Sequence, residues 1–361
     1  MSSLSFKSKL SPSSVSGDLF PSTQTAPEAA EYSPSKQVER LARLDVDTAL
    51  RARVLPFCRL KPGEVWSDEV GGHRVGVIDA CNSAAVDALV SAVPIDLAVN
   101  DPPYNIRLAN KSTHALFEID ESDFDKFSAA WIANCIPQLA PDSSFYCWLG
   151  ANYKRGFHPI PEIIVLLRSH TELTSRNWIT VRNQRGYGTQ NNWMWVRQEL
   201  LYYTKGRPFF DVGAEYTDIP KVLRGYYKKV NGQVTENLER SKSENIRAGN
   251  VWIDIQQVFY RLEENVPGCY AQKPLKSIER ILSASSKMGD TVLDLFAHSG
   301  TTLLAGERLG RRVITCDIDP VYAEISIRRL ERYRSTSKTG WQWNSPFPEL
   351  DYDSSNARKS S

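Results

Sequence analysis

The run from Thr291 to Asp317 constrains this chain more than any other stretch. Thr291-Val292-Leu293-Asp294 reads as a short buried strand. Small residues follow in Ala297-His298-Ser299-Gly300-Thr301-Thr302. A helical run over 303–309 comes next, which Gly310 closes as a C-terminal cap. Arg312-Val313-Ile314-Thr315-Cys316-Asp317 is a second strand ending in an acid, 23 residues after Asp294. Asp319 and Pro320 then supply an N-cap and a first-turn proline for a helix through Arg332. This strand–turn–helix–strand–acid order is the plan of a nucleotide-binding α/β unit. The turn lets backbone approach a ligand, and the second acid can hydrogen-bond ribose hydroxyls. The predicted class is therefore α/β, with a mostly parallel, doubly wound sheet.

A second apolar run, Ile95-Asp96-Leu97-Ala98-Val99, leads into Asp101-Pro102-Pro103-Tyr104. An acid, two prolines and an aromatic at a strand end suit chemistry on the exocyclic amino group of a planar base. The Asp101 carboxylate and the Pro102 carbonyl can each accept a hydrogen bond from one NH2. Tyr104 offers a ring face to a base that has left the duplex. The two prolines stiffen the turn and hold the acceptors in place. Read alone, the same four residues are also a good strand-ending turn. Asp101 and Ser299 are 198 positions apart, yet both follow strands. Ligands of open α/β sheets bind beyond the carboxyl ends of the strands. The two motifs can share a site only if their strands are neighbours.

Taken together, these motifs resemble the amino-group DNA methyltransferases that use S-adenosylmethionine, in the subgroup whose catalytic motif precedes the cofactor motif. That subgroup's cofactor loop usually reads D-P-F-x-G-S-G-T-T; here it reads Asp294-Leu295-Phe296-Ala297-His298-Ser299-Gly300-Thr301-Thr302. Gln272-Lys273-Pro274 with Ile278-Glu279-Arg280-Ile281, Gly249-Asn250-Val251-Trp252-Ile253, and Glu199-Leu200-Leu201-Tyr202-Tyr203-Thr204-Lys205 fit the same order over roughly residues 74–333. The resemblance implies Asp101, Pro102, Pro103 and Tyr104 as the catalytic motif. It implies Asp294, Phe296, Ala297, Ser299, Gly300, Thr301 and Asp317 as cofactor residues, with Lys273 toward the methionine carboxylate. Asp79, which ends a strand-like run from Arg74, is a candidate near the adenine of the cofactor; it also reads as a surface turn acid. His298 stands where the family has glycine. If that position needs φ above zero, histidine is among the non-glycine residues that tolerate it. Asp as the first motif residue favours adenine N6, with cytosine N4 as the alternative. A DNA-binding relative that lost its cofactor, with His298 as the lesion, and an RNA or protein methyltransferase are further alternatives.

The charge is unevenly placed. The whole chain of 361 residues carries only +2, but residues 151–250 hold 16 Lys+Arg against 9 Asp+Glu. Aromatics, among them Trp178, Tyr187, Trp193, Trp195, Tyr226 and Tyr227, lie in the same stretch. Basic charge binds phosphates, and aromatic and polar side chains stack on or read bases. A solvated loop region with core aromatics has the same composition. The candidate DNA contacts are Arg182, Asn183, Gln184, Arg185, Gln190 and Asn191 in a Gly-flanked loop, and Lys228 and Lys229 in a second segment. The organisation expected is a disordered tail (1–36), a helical extension (37–73), a catalytic half (74–150), an inserted recognition region with some core strands (151–250), a cofactor half (251–334) and a polar tail (335–361). The partner implied is double-stranded DNA, with a homodimer and a companion restriction endonuclease as further partners. The six cysteines form no C-x-x-C pair and none follows a proline, so neither a zinc ribbon nor a Pro-Cys nucleophile is expected. No apolar run is long enough to span a bilayer, and a cytoplasmic bacterial location is expected.

Overall fold

The computed structural model describes residues 47–103, 121–150, 158–187, 193, 195–214, 216–220, 226–237, 244–258, 261–269 and 271–350. Its strands, in chain order, are β1 (Val65–Ser67), β2 (Arg74–Val77), β3 (Ile95–Asn100), β4 (Leu139–Gly150), β5 (Leu173–Tyr187), β6 (Trp195–Lys205), β7 (Tyr216–Pro220), β8 (Tyr226–Val230), β9 (Gln233–Asn237), β10 (Asn245–Arg247), β11 (Val251–Trp252), β12 (Thr291–Asp294) and β13 (Arg312–Asp317). The helices are α1 (Thr48–Val54), α2 (Ser83–Val90), α3 (Glu121–Cys135), α4 (Pro159–Ser169), α5 (Leu275–Ser285), α6 (Thr301–Leu309) and α7 (Pro320–Thr336).

Nine strands form one sheet in the order β1-β2-β13-β12-β3-β4-β6-β5-β11. The run from β2 to β4 is parallel throughout. Parallel neighbours need crossovers, and helices supply them on both faces. Alternation along each strand sorts the core accordingly. Leu97, Val99, Val292 and Val313 face α5, α6 and α7 through Ile278, Leu304 and Ile327. Ala98, Leu293, Ile314 and Cys316 face α2, α3 and α4 through Leu89, Trp131 and Ile163. The doubly wound class read from the sequence is thus the class observed.

β6 is antiparallel to both β4 and β5, and β5 and β11 extend the sheet beyond it. An antiparallel strand also forms the opposite edge, where β1 pairs with β2. The segment 37–73, read as helical, therefore also carries a sheet strand. The 335–361 tail contributes too: Trp341 and Phe347 are buried with Leu50, Val54 and Ile325 in a third core cluster.

Candidate active site

The strand-neighbour condition is met. β12 pairs in parallel with β3, Val292 opposite Leu97 and Leu293 opposite Ala98. Buried Asn100 ties the two strand ends together, its Oδ1 accepting from the Leu295 N–H at 3.1 Å. A pocket opens where the strands end, lined by Asp101, Lys273, Asp294, Phe296, Ala297, Ser299 and Thr301. Val99, Trp148, Ile278, His298 and Thr302 complete the wall. The two motifs read from the sequence therefore line one cavity.

The loop between β12 and α6 is held at almost every residue. Asp294 Oδ1 accepts from the Phe296 N–H at 2.9 Å, and Thr302 donates its hydroxyl to the same carboxylate. The Ala297 N–H donates to the Cys316 carbonyl at 2.7 Å, and the Gly300 N–H donates to the Ala297 carbonyl at 2.8 Å. Gly300 sits at φ +71 as the α6 N-cap, and a Cβ there would lie 2.7 Å from Ser326 Cα. Only glycine meets both demands. His298 is left-handed as well, at φ +44. Its N–H donates to Asp317 Oδ2 at 2.9 Å, and its ring packs on Tyr322 with centroids 4.7 Å apart. These contacts offset the strain of a side chain at that φ. Phe296 sits edge-on to Trp131 at 5.4 Å.

Two residues outside the motifs complete this support. Arg329 of α7 is fully buried and donates through Nη1 to the Ser299 carbonyl at 2.9 Å and to Thr301 Oγ1 at 3.1 Å. Its Nη2 and Nε donate to the Glu264 and Thr339 carbonyls. Trp148 of β4 lines the pocket wall, with the Lys273 ammonium 5.3 Å from its ring centroid. Neither stood out in the sequence: Arg329 lies among Arg328, Arg332 and Arg334, and Trp148 reads as a core residue of an apolar strand.

The acids divide into two groups. Burial pushes the Asp294 carboxyl up to about 7, against the hydrogen bonds from Thr302 and Phe296. Burial and then the Asp319 charge push Asp317 up to about 7, although it remains partly accessible. Both Asp317 oxygens accept backbone N–H groups, from Asp319 and His298. Asp101 is held by a different contact: Lys273 Nζ lies 2.6 Å from its Oδ2. Its Oδ1 is buried and accepts no hydrogen bond among the described residues. Burial raises the Asp101 carboxyl, and Lys273 opposes that rise.

The remaining predicted residues fall elsewhere. Asp79 is exposed just beyond β2 and accepts from the Cys81 N–H at 2.9 Å, near β13 but outside the pocket wall. Pro102 is buried and Pro103 half-buried; Tyr104 lies outside the described residues. The stretch read as a loop from residue 182 begins as strand. β5 runs on to Tyr187, which pairs with Trp195 across a register shift. Arg182 is exposed there, and Asn183, Gln184 and Arg185 follow it along the β5 backbone. Gln190 and Asn191 lie outside the described residues. Lys228 and Lys229 belong to the β8–β9 hairpin, where Lys229 is exposed and Asn231-Gly232 forms the turn, both at positive φ.

S-adenosylmethionine suits the residues that line this pocket. Ala297, His298 and Ser299 of the loop border the cavity beside the carboxylates of Asp101 and Asp294, acceptors for a ligand that carries an ammonium, a sulfonium and hydroxyls, while Asp317 lies outside the wall, partly accessible, and holds the His298 N–H. Comparison with known proteins agrees. The N6/N4 methyltransferase family model, described as DNA methylase, matches residues 95–328. The type II methyltransferase M.HpaI of Haemophilus parainfluenzae is 30% identical over 240 residues, 66% of this chain and 68% of that protein. The DNA adenine methyltransferase YhdJ of Escherichia coli K12 is 30% identical over 252 residues, 67% of this chain and 78% of that protein. Among solved structures, the cytosine-N4-specific PvuII DNA methyltransferase aligns at 17% identity and a TM-score of 0.44, covering 67% of this chain and 83% of that one. With the family model spanning well over half its length and both motifs lining one pocket, the chain belongs to the N6/N4 family of S-adenosylmethionine-dependent DNA methyltransferases.

Proposed function

We propose that this protein methylates the exocyclic amino group of a base flipped out of double-stranded DNA, adenine N6 in preference to cytosine N4. The observation that carries the reading is the buried Oδ1 of Asp101, which accepts no hydrogen bond among the described residues, at the wall shared with the Asp294–Thr302 loop. When bound, S-adenosylmethionine supplies an electrophilic methyl on a sulfonium. The protein supplies position and charge. Asp101 Oδ1 and the Pro102 carbonyl accept the two amino hydrogens, which aims the nitrogen lone pair away from them. As the nitrogen becomes positive, the Asp101 carboxylate stabilises it in a site with little water. Pro102 and Pro103 keep both acceptors from swinging with the loop. Tyr104 is the stacking platform for the flipped base. Asp317 would accept from the ribose hydroxyls of the bound cofactor, and residues of the Asp294–Thr302 loop would hold the rest of it. The proton shed by the methylated nitrogen goes to water, so no covalent enzyme intermediate is required.

Adenine is preferred because Asp, not Ser, opens the motif, as in the family's adenine members. The sequence of the insert accounts for the DNA: it is the basic, aromatic-rich part of an otherwise near-neutral chain. The test is to incubate duplex DNA, RNA and protein acceptors with labelled S-adenosylmethionine and analyse the nucleosides by mass. Labelled N6-methyladenine from duplex DNA is expected. Labelled N4-methylcytosine alone would overturn the base preference, and label only in RNA or protein would overturn the reading as a whole.

A further inference from the structure

Asp101 must do two things at once in the reading above. It must be ionised, so that it accepts rather than donates. It must also leave one oxygen open toward the amino group. Among the described residues, one serves both needs. Lys273 arrives from 172 positions away, just ahead of α5, and places Nζ 2.6 Å from Asp101 Oδ2. Both groups are withdrawn from solvent: the side chains are 7% and 21% exposed for Lys273 and Asp101. The ammonium is backed by the Trp148 ring face, and the Lys273 carbonyl accepts from Thr301 Oγ1 at 3.3 Å. Lys273 is thereby tied to the same loop that forms the cofactor wall.

We propose that Lys273 is a positioning residue for methyl transfer: its ammonium occupies Asp101 Oδ2, turns Oδ1 toward the amino group, and keeps the carboxylate charged. This rests on the role given to Asp101 under the proposed function and extends it to a residue that the family resemblance assigns to the methionine carboxylate. The pair has a physical reason to exist. A carboxylate buried at the end of β3 loses its hydration and rises toward the neutral form. A protonated Asp101 would present a donor to an amino group that also needs to donate, and transfer would stall. The other titratable groups around Asp101 do not help. Asp294 on β12 is a like charge whose own carboxyl is raised partly by Asp101. Cys147 on β4 is a buried thiol raised by burial and then by Asp101, and Cys135 of α3 lies behind Asn100. Lys273 is the cation that opposes the rise in Asp101.

The experiment compares Lys273→Met, Lys273→Gln and Lys273→Arg with the unmodified protein. The maximal transfer rate at saturating cofactor and DNA is measured against pH, and the cofactor dissociation constant is measured by calorimetry at the same pH values. In Lys273→Met and Lys273→Gln the acid limb of the rate profile should move up by about one unit or more, because one unit corresponds to only ~1.4 kcal/mol of lost interaction. Much of the rate should return at high pH. Lys273→Arg keeps the charge and should keep the limb close to its original place. Isotope-edited infrared spectra of the cofactor-free protein give an independent readout. The Asp101 carboxylate band, assigned by its loss in Asp101→Asn, should convert to the protonated band at a higher pH in Lys273→Met. An unmoved acid limb and unmoved Asp101 band, with weaker cofactor binding at every pH, would overturn the proposal and leave Lys273 to the methionine carboxylate alone. The infrared titration does not depend on turnover, so it tests the pair even if the methyl acceptor proves to be something other than DNA.

Discussion

Between Asp294 and Thr302, the backbone is tied down by its neighbours: Cys316, Asp317 and Arg329 each hold a peptide group of that loop. Between Arg182 and Arg247, the described strands outside the main sheet pair only as two ribbons, β7 with β10 and β8 with β9. Their neighbours face outward: Trp193 is 95% exposed, and Arg182, Lys229 and Arg247 are exposed as well. The contrast separates two tasks. Chemistry on a sulfonium and an amine demands fixed geometry, so its loop is locked into the core. A surface that meets a polyanion needs charge and reach, which exposed strands provide without a rigid core. Changes in the first region should therefore cost orders of magnitude, and single changes in the second should cost little.

The sharpest way to break the contrast is Asp101→Ala. Transfer should fall by roughly 10³-fold or more, as when a main stabiliser of transition-state charge is removed. Cofactor binding, measured by calorimetry, should stay close to its original value, because in the proposed function Asp101 serves the amino group of the base and not the cofactor. Equal loss of rate and cofactor affinity would show that Asp101 belongs to the cofactor pocket alone, and the division of labour between the two motifs would fail.

Arg329→Met probes the locked loop from behind. The change keeps much of the side-chain length and removes every donor. The carbonyls of Ser299, Thr339 and Glu264 would lose a buried donor. Each buried group left unsatisfied costs about 1–3 kcal/mol, so a loss of about 3 kcal/mol in stability is expected, read as a lower Tm. The burial that pulls the Arg329 guanidinium down to about 10 offsets part of its own contribution. Cofactor affinity should weaken by about tenfold, as the Ser299–Thr301 backbone loosens. A lower Tm with unaltered affinity would mean that Gly300 and Asp317 hold the loop without help from α7.

The same contrast governs what the sequence disclosed. The β12–loop–α6–β13 unit was legible because its signals are local: strand runs that end in acids, a small-residue turn, and Gly310 as a cap at φ +69. Adjacency of β3 and β12 followed from the shared chemistry of their ends. His298 stands out in the sequence as a histidine where glycine is usual, and the position does take a positive φ. Arg329 was not legible, because four arginines on one helix look like a solvated face until the tertiary fold buries one of them. The Asp101–Lys273 contact was hidden for a related reason: it joins residues 172 apart, and no local pattern specifies it. The strand continuing past Arg182 was missed because glycines and polar residues there suggest a loop, whereas pairing with β6 decides the matter.

Lys229→Ala gives the smallest effect and tests the outward-facing side of the comparison. Lys229 is exposed on β8, opposite Val234 and close to the Asn231-Gly232 turn. Its ammonium has no core role, so Tm should change by no more than about 0.5 kcal/mol of stability. If the hairpin touches the DNA backbone, one phosphate contact disappears. The slope of log K against log salt then shrinks by about 0.9, and affinity drops a few-fold at moderate salt for every duplex sequence alike. The maximal rate at saturating DNA should not move, because the charge is spent on encounter and positioning rather than on the reacting nitrogen. A change in rate with an unaltered salt slope would place Lys229 in the site's chemistry, and the separation between a locked catalytic floor and an adaptable charged surface would no longer hold.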